Sequence, residues 1–524
     1  MKTWLVSTRF GACLGSLVLG LGLIGGCSST PHGDPGEPVG EGGSAGSAGV
    51  GGFGNGGSAG AGGAIEPPTC TPTVAIEPNS RALIITDPEI LAKFSLERVL
   101  QQMITQANPP LSITPTPLTL LQRLFDTENT AAGGAFADVT HCDEFSFAFM
   151  NAPVTHCPRA EGALATNPNL LTADDPNSFV PVAIVNRLDL MRQSGIACGE
   201  YRVVYAKLSG KTNPEDRVFV IFEASLANPM TFNVMGCQPV ADMWASLEKE
   251  TDLQVVSDKV ENFFFTGLSG FGPVIHPDNC GDKSPDDDGS YGGSRGQVRV
   301  GHKMQVPWEW REFHLKRTGG LETTLSFVPV TVKNNPTPER FDVAATPGDE
   351  WFRQEFLMNM PSLAKSTIGE LRMQPPGKSN LGQSAFEGAA ASDYATRGSK
   401  QPGSDFASQI DTQLATMEGL SCPSDDPLTG KNILQRASML TCAGCHAPQQ
   451  FLEPGNSIGC GLTWPDSLGE VHIDENSQLS PALKDVFLPA RAGILSAFVG
   501  GCSREYIQWI LAPAEPGDSG GIPK

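Results

Sequence analysis

The sequence predicts an α+β fold, in which an antiparallel-sheet domain flanked by helices is followed by a small all-α domain. Three observations carry this prediction. Apolar residues follow helical spacing just after residue 69, β-branched and aromatic runs separated by turn residues occupy much of 200–332, and helical spacing returns after residue 405. A chain of 524 residues also exceeds what one hydrophobic core usually supports, so two folded units with appendages are expected.

The first 27 residues are predicted to be a targeting segment, with Lys2 and Arg9 in a short positive region before an apolar stretch. The run Ile-Gly-Gly-Cys that ends at Cys27 resembles the lipobox of bacterial lipoproteins. That resemblance implies cleavage before Cys27, acylation of its thiol and attachment to the membrane through the lipid. A plain signal peptide cut nearby and an uncleaved anchor are the alternatives. Ser28, where this family carries Asp for inner-membrane retention, favours the outer membrane.

Residues 28–68 are dominated by Gly, Ser and Ala and have almost no large apolar side chains. Such a segment cannot bury enough apolar surface to offset the entropy lost on ordering, so we expect a flexible tether. At roughly 5–6 Å × √n, about 40 residues reach about 35 Å. That length would hold the folded part clear of the lipid headgroups.

The composition indicates an exported protein that does not bind nucleic acid. The formal charge of −21 lacks the basic surface that a phosphate backbone requires. Outside the targeting segment and the CxxCH motif described below, nine cysteines remain, and an oxidising cell envelope would join some of them. Proximity in the sequence alone suggests the pairs Cys142 with Cys157 and Cys460 with Cys502, and an odd number leaves at least one cysteine over.

Residues 69–375 are predicted to form the α+β domain. Helical spacing appears in PEILAKFSLERVLQQMITQA and PLTLLQRLF, and later in ADMWASLEK and GDEWFRQEFLMNMPSLAKSTIGELRM. The runs GEYRVVYAKLSG and DRVFVIFEASL, joined by KTNPE, predict an antiparallel hairpin over 200–226. Further strands are predicted in GQVRVGHKM, WEWREFHLKR and TTLSFVPVTV. Residues 376–404, rich in Gly, Ser, Pro and Gln, are predicted to be a linker or a surface loop.

Several polar residues lie in or near the predicted strands, namely Arg187, Asp189, Glu200, Arg202 and Glu223. They could line a site, although such residues more often form the solvated face of an antiparallel sheet. The segments IVNRLDL and CGEYRVVYAKLSG around them resemble parts of large, uncharacterised bacterial envelope proteins, some of which end in a CxxCH domain. This resemblance implies a shared architecture but no activity.

Residues 405–524 are predicted to be helical and contain the most specific motif of the chain, CAGCH at 442–446. Two thiols at this spacing can add across the two vinyl groups of haem, and a His beside the second Cys can ligate the iron. A thioredoxin-like site would place the pair at the start of a helix after a strand, whereas here it is predicted to end the helix LTGKNILQRASML. A zinc site would need a second pair of ligands, and Cys460 and His472 do not form one.

The segment 405–524 therefore resembles a c-type cytochrome domain with a single haem c. That resemblance implies thioether attachment at Cys442 and Cys445 and His446 as the proximal iron ligand. No Met follows Met439, so His472 is the candidate distal ligand. A Met from upstream, such as Met439 or Met417, an open coordination position and a plain surface role for His472 remain alternatives.

The function expected from these observations is single-electron transfer by an envelope lipoprotein anchored through Cys27. Its partners would be the membrane and an unidentified redox protein. Two other functions stay open. The haem could have a sensory or a structural role in a lipoprotein that binds a ligand or supports the envelope. Alternatively, it could be the cofactor of an enzyme, with an open sixth coordination position.

Overall fold

The structure, a computed structural model, describes residues 68–511 except 109, 131–133, 143–155, 192–193, 282–295, 320–321, 334, 344–346, 374, 376–378, 381–383, 386–392, 404, 421 and 453–454. The predicted targeting segment with Cys27, and all of the predicted tether except Pro68, lie outside these residues. The described residues belong to one compact unit that spans 66–524.

The centre of the fold is an eight-stranded sheet in which every pairing is antiparallel. Seven strands lie side by side in chain order, and the eighth pairs with the sixth. The strands are β1 (Ile84–Ile85), β2 (Phe179–Arg187), β3 (Ala197–Lys207), β4 (Val218–Ala227), β5 (Gln297–His302), β6 (Glu309–Thr318), β7 (Thr324–Val330) and β8 (Ser384–Ala385). The predicted antiparallel sheet is confirmed, and β3 and β4 form the predicted hairpin.

Helices flank the sheet, as an α+β fold requires. They are α1 (Pro88–Leu91), α2 (Leu96–Thr105), α3 (Pro117–Asp126), α4 (Gln238–Ala245), α5 (Leu253–Phe265), α6 (Pro347–Asn359), α7 (Tyr394–Gly398), α8 (Phe406–Leu414), α9 (Gly430–Met439), α10 (Cys442–His446), α11 (Leu488–Val499) and α12 (Arg504–Ile510). A π-helical turn, Ala482–Phe487, leads directly into α11. Pro489 does not interrupt α11, because it lies in the first turn, where its missing N–H is not needed. No described helix combines the length and apolarity needed to cross a bilayer.

The two faces of the sheet differ in chemistry because successive side chains of a strand point to opposite sides. On β3, Tyr201, Val203 and Tyr205 lie on the apolar face, where Tyr201 stacks on Trp244 of α4 with ring centroids 5.9 Å apart. Glu200 and Arg202 lie on the other face. The polar residues of β3 are therefore gathered on one side of the sheet.

The face of the sheet that carries Glu200 and Arg202 is covered by the C-terminal part of the chain and is not open to solvent. Ala443, Val471 and Leu488 belong to the same buried apolar cluster as the strands. The buried guanidinium of Arg217, next to β4, also binds the carboxylate of Glu475, with Nε to Oε1 at 2.5 Å and Nη2 to Oε2 at 3.0 Å. The segment that carries the CxxCH motif thus packs directly on the sheet.

Four disulfides lie among the described residues. They join Cys70 to Cys502, Cys142 to Cys157, Cys198 to Cys237, and Cys422 to Cys460. The pair Cys142 with Cys157 confirms the prediction from proximity. The predicted pair Cys460 with Cys502 is wrong, because the fold brings Cys502 to a partner 432 residues away in the sequence, which no local signal reveals.

The disulfide with the longest loop should contribute most to stability. In the chain-entropy account, replacing Cys70 and Cys502 by Ser lowers the free energy of unfolding by about 2 kcal/mol more than replacing Cys198 and Cys237, whose loop spans 39 residues. Urea-induced unfolding of the two double variants under non-reducing conditions measures the difference. Equal losses, or a larger loss for the short loop, would contradict it.

Candidate functional site

The CxxCH motif forms a short helix of its own, α10, rather than the end of α9. Thr441 caps this helix, because its Oγ1 accepts a hydrogen bond from the Gly444 N–H at 3.0 Å. The prediction that the cysteine pair ends a helix is therefore wrong, since Cys442 is the first residue of α10. The element before the motif is nonetheless a helix, α9, and not the strand that a thioredoxin-like site has.

The two thiols of the motif are unlike those of a reactive cysteine pair. Cys442 and Cys445 are free cysteines in the structure. Burial raises the pKa of the Cys442 thiol to about 11 and that of Cys445 to about 12. Nucleophilic and redox-active thiols instead have lowered pKa values, so these environments argue against thiol-disulfide catalysis.

The imidazole of His446 is oriented as a metal ligand would be. Its Nδ1 lies 3.1 Å from the carbonyl oxygen of Glu470, and burial holds the pKa of His446 well below its usual value. Because a carbonyl can only accept, the neutral ring carries its hydrogen on Nδ1 and its lone pair on Nε2. Metal-binding histidines commonly show this pattern. Trp310 of β6 packs on the ring, with centroids 4.6 Å apart.

Glu470 is itself held in place from the sheet. Its carboxylate accepts a hydrogen bond from Lys303 Nζ at 2.7 Å, just beyond the end of β5. Its backbone has a φ of 73°, in the left-handed region that non-glycine residues rarely adopt. The orientation of His446 therefore depends on a loop conformation that the sheet helps to hold.

His472 lies next to the motif, where the sequence predicts a distal ligand. Its ring is close to Cys445. Its Nε2 is 3.2 Å from the Cys445 sulfur, and its Nδ1 is 2.9 Å from Ser480 Oγ. Burial, aided by the positive charge of Arg491, lowers the pKa of His472 to about 4. The surface role considered for His472 is thus not what the structure shows.

A cavity of about 400 Å³ brings all four predicted haem residues together. Its volume lies in the range of ligand and cofactor sites. The predicted residues that line it are Cys442, Cys445, His446 and His472. The apolar part of its wall includes Leu371, Leu440, Leu483, Phe487 and Ile494.

The rest of the cavity wall is charged and comes largely from the sheet. All five polar residues noted in the sequence around the strands line it, so they do not form a solvated face. Six cationic side chains and three carboxylates face the cavity, namely Arg187, Arg202, Arg299, Lys333, Arg372 and Arg491 with Asp189, Glu200 and Glu223. Four of these residues could not be predicted from the sequence, because nothing local marks a charged residue whose neighbours are distant in the chain: Arg299, Lys333, Arg372 and Arg491.

Ion pairs cross the strands beneath this cavity. Arg202 Nη1 lies 2.9 Å from Glu223 Oε1, and Arg202 Nη2 lies 2.9 Å from Glu200 Oε2. Arg299 Nε lies 3.5 Å from Glu223 Oε2 and 3.3 Å from Glu312 Oε2. Each arginine is thus shared by two buried or half-buried carboxylates on β3, β4 and β6. These pairs allow the sheet to carry charge on a face that is removed from water.

The methionines considered as distal ligands are not at the cavity. Met439 is buried in an apolar cluster with Leu371 and Trp464, and Met417 packs against a different cluster. Met373 does line the cavity and was not considered. It is the last residue of the long predicted helix, in a part of the sequence without any haem-related pattern.

Other metal sites receive little support from the described residues. One group there has the spacing of a metal site, Glu128 with Cys142 and Cys157, but the two cysteines are joined to each other. Cys460, considered with His472 for zinc, is joined to Cys422. The cavity at α10 is therefore the candidate site.

Comparisons of the chain with protein-family models, with curated proteins and with solved structures find no match. The function of the cavity must therefore be argued from the residues that line it.

Removing one carboxylate from beneath the cavity should destabilise the fold strongly. Glu223→Gln leaves Arg202 and Arg299 buried with too little negative charge, and we expect the free energy of unfolding to fall by about 3 kcal/mol. Urea-induced unfolding measures this loss. Glu261→Gln is the matched control, because Glu261 pairs with Arg98 at the surface, where a pair contributes less than about 1 kcal/mol. Equal losses in the two variants would contradict the expectation.

Proposed function

We propose that the chain is a cell-envelope lipoprotein that carries one covalent haem c and transfers single electrons. The observation that carries the proposal is the meeting of Cys442, Cys445, His446 and His472 at one cavity. Lipid attachment at Cys27, an outer-membrane location and a redox partner protein are parts of the same proposal. They are inferred from the sequence, because Cys27 lies outside the described residues.

The residues around the cavity fit a haem group. The volume suits a cofactor, the wall combines apolar and cationic side chains, and the two thiols face the same space as the imidazole of His446. Cys442 and Cys445 would hold the haem through thioethers, each S–H adding across a vinyl group with sulfur bonded to one carbon and hydrogen to the other. No further reactant is needed for that balance. When bound, the haem supplies a reversible one-electron change at iron.

The chain contributes orientation, exclusion of water and charge. The Glu470 carbonyl fixes the His446 ring, and Ser480 fixes His472 from the start of the π-helical turn. Both rings are half-buried against apolar side chains and the sheet, and burial lowers the pKa of both histidines. The excess of cationic residues on the wall disfavours additional positive charge in the cavity, and this would raise the reduction potential of a bound haem.

Whether a second protein side chain would bind the haem iron distinguishes an electron carrier from a catalyst. The ring centroids of His446 and His472 are 4.5 Å apart. To hold one haem iron between them through bonds of about 2 Å, the two imidazoles would have to lie farther apart than this. Ligation by His472 would therefore require its ring to move away from His446. This separation favours, as a second candidate function, a haem enzyme or sensor with an open sixth position, and Met373 offers another ligand at the cavity wall.

Covalent haem is the first expectation to test. After expression with a cytochrome c maturation system, a pyridine haemochrome spectrum should show one haem c per chain. The double variant Cys442→Ser and Cys445→Ser should carry none. Cys280→Ser, which replaces another free cysteine, should retain the full amount. A wild-type chain without covalent haem would refute the proposal.

The spin state of the loaded protein tests the role of His472. If His472 is the distal ligand, His472→Ala converts a low-spin absorption spectrum to a high-spin one, because a strong-field nitrogen ligand is lost. Met373→Ala is the matched control at the same cavity and should leave the spectrum unchanged. An unchanged spectrum in His472→Ala removes His472 from the iron, and a change in Met373→Ala alone assigns the position to Met373.

A further inference from the structure

Two guanidinium groups, those of Arg187 and Arg491, lie next to one buried carboxylate at the end of the cavity nearest α11, and a third, that of Arg372, lines the same cavity. Arg187, the last residue of β2, binds Asp189 through two hydrogen bonds of 2.9 Å, from Nε to Oδ1 and from Nη2 to Oδ2. Arg491 of α11 places its Nε 3.9 Å from the same Oδ1, beyond hydrogen-bond distance. Arg372 also acts on Asp189, since its positive charge helps to hold the pKa of that carboxyl far below its usual value.

The cluster holds more positive charge than it can neutralise. Asp189 is already engaged by Arg187, so Arg372 and Arg491 remain in excess by two charges. Arg372 donates from Nη1 to the carbonyl oxygens of Gly369 and Leu371, at 2.6 and 2.8 Å, and these carry no formal charge. The carboxylate of Glu370, which also acts on Arg372, belongs to an exposed residue.

The remaining arginines of the cavity are in a different situation. Arg202 and Arg299 each contact two carboxylates, as described above. By contrast, Arg491 approaches Asp189 only to 3.9 Å, although its side chain is only 12% exposed. Burial and the neighbouring guanidinium groups lower the pKa of Arg491 well below its usual value. An uncompensated buried cation is costly, which makes this end of the cavity suited to an anionic ligand.

We infer that Arg372 and Arg491, supported by Arg187, bind a ligand that carries two carboxylates within this cavity. Guanidinium groups bind carboxylates through directed, charge-assisted hydrogen bonds, and two negative charges match the excess of two positive ones. Two sources offer this chemistry. If the proposed haem function holds, the ligand is the pair of propionates of the porphyrin, and otherwise it is a free dicarboxylate.

The inference can be tested without iron and without thioether bonds. The full chain, expressed without a maturation system, is titrated with metal-free protoporphyrin IX and with its dimethyl ester, and dissociation constants are taken from porphyrin fluorescence. We expect the diacid to bind at least about tenfold more tightly than the ester, since each charge-assisted hydrogen bond contributes on that scale. Succinate is titrated in parallel by calorimetry as the free dicarboxylate.

The variants separate carboxylate recognition from folding. Arg491→Gln and Arg372→Gln should each remove most of the preference for the diacid, whereas Arg491→Lys should retain part of it. Arg98→Gln, which changes a surface arginine outside the cavity, is the matched control and should retain all of it. Urea-induced unfolding of each variant identifies any that fails to fold, and the two positions provide independent tests.

Each result bears on the inference. A diacid preference that depends on Arg491 assigns the site to the propionates, and Arg491-dependent succinate binding without that preference assigns it to a free dicarboxylate. Equal binding of diacid and ester together with no succinate binding would overturn it. Because the probe contains no iron and forms no thioether, this outcome differs from a failure of covalent haem attachment, which the haemochrome spectrum reports.

Discussion

The candidate site depends on a sheet whose two faces are both buried, one of them beneath the CxxCH segment. Alternation along β3 sends Tyr201, Val203 and Tyr205 to one face and Glu200 and Arg202 to the other. The charged face can lie under protein only because arginines pair with carboxylates on neighbouring strands, such as Arg202 with Glu223. The CxxCH segment packs on this neutralised face, so the cavity has an apolar wall from the C-terminal segment and a charged wall from the sheet.

This arrangement links the proposed proximal ligand to the sheet through a short series of contacts. Lys303, beyond β5, holds Glu470, and the carbonyl of Glu470 holds His446. A second link, between Arg217 and Glu475, fixes the same loop a few residues later. Polar contacts of this kind belong to the scaffold and not to the motif. The sheet therefore takes part in positioning the ligand, although it contains no haem-related sequence.

Local sequence patterns predicted those features that depend on residues close to each other in the chain. The period of two in GEYRVVYAKLSG and DRVFVIFEASL predicted the hairpin of β3 and β4, and the spacing of two thiols and an imidazole predicted one half of the cavity. The other half could not be found in this way. Arg299, Arg372 and Arg491 come from three distant parts of the chain, and a single sequence shows no relation between them. The start of α10 was also missed, because only Leu440, the C-cap of α9, and Thr441, the N-cap of α10, separate the two helices.

The disulfide between Cys70 and Cys502 determines which elements bear a pulling force applied at the N-terminal side of the fold. Thr73 also donates its N–H to the Gly500 carbonyl, and Ile76 donates its N–H to Ser496 Oγ. A force applied to the chain before Cys70 is therefore shared with the end of α11 and the start of α12, instead of peeling β1 from β2. For a protein held at its N-terminal end, such a covalent joint would protect the sheet and the cavity above it from tension.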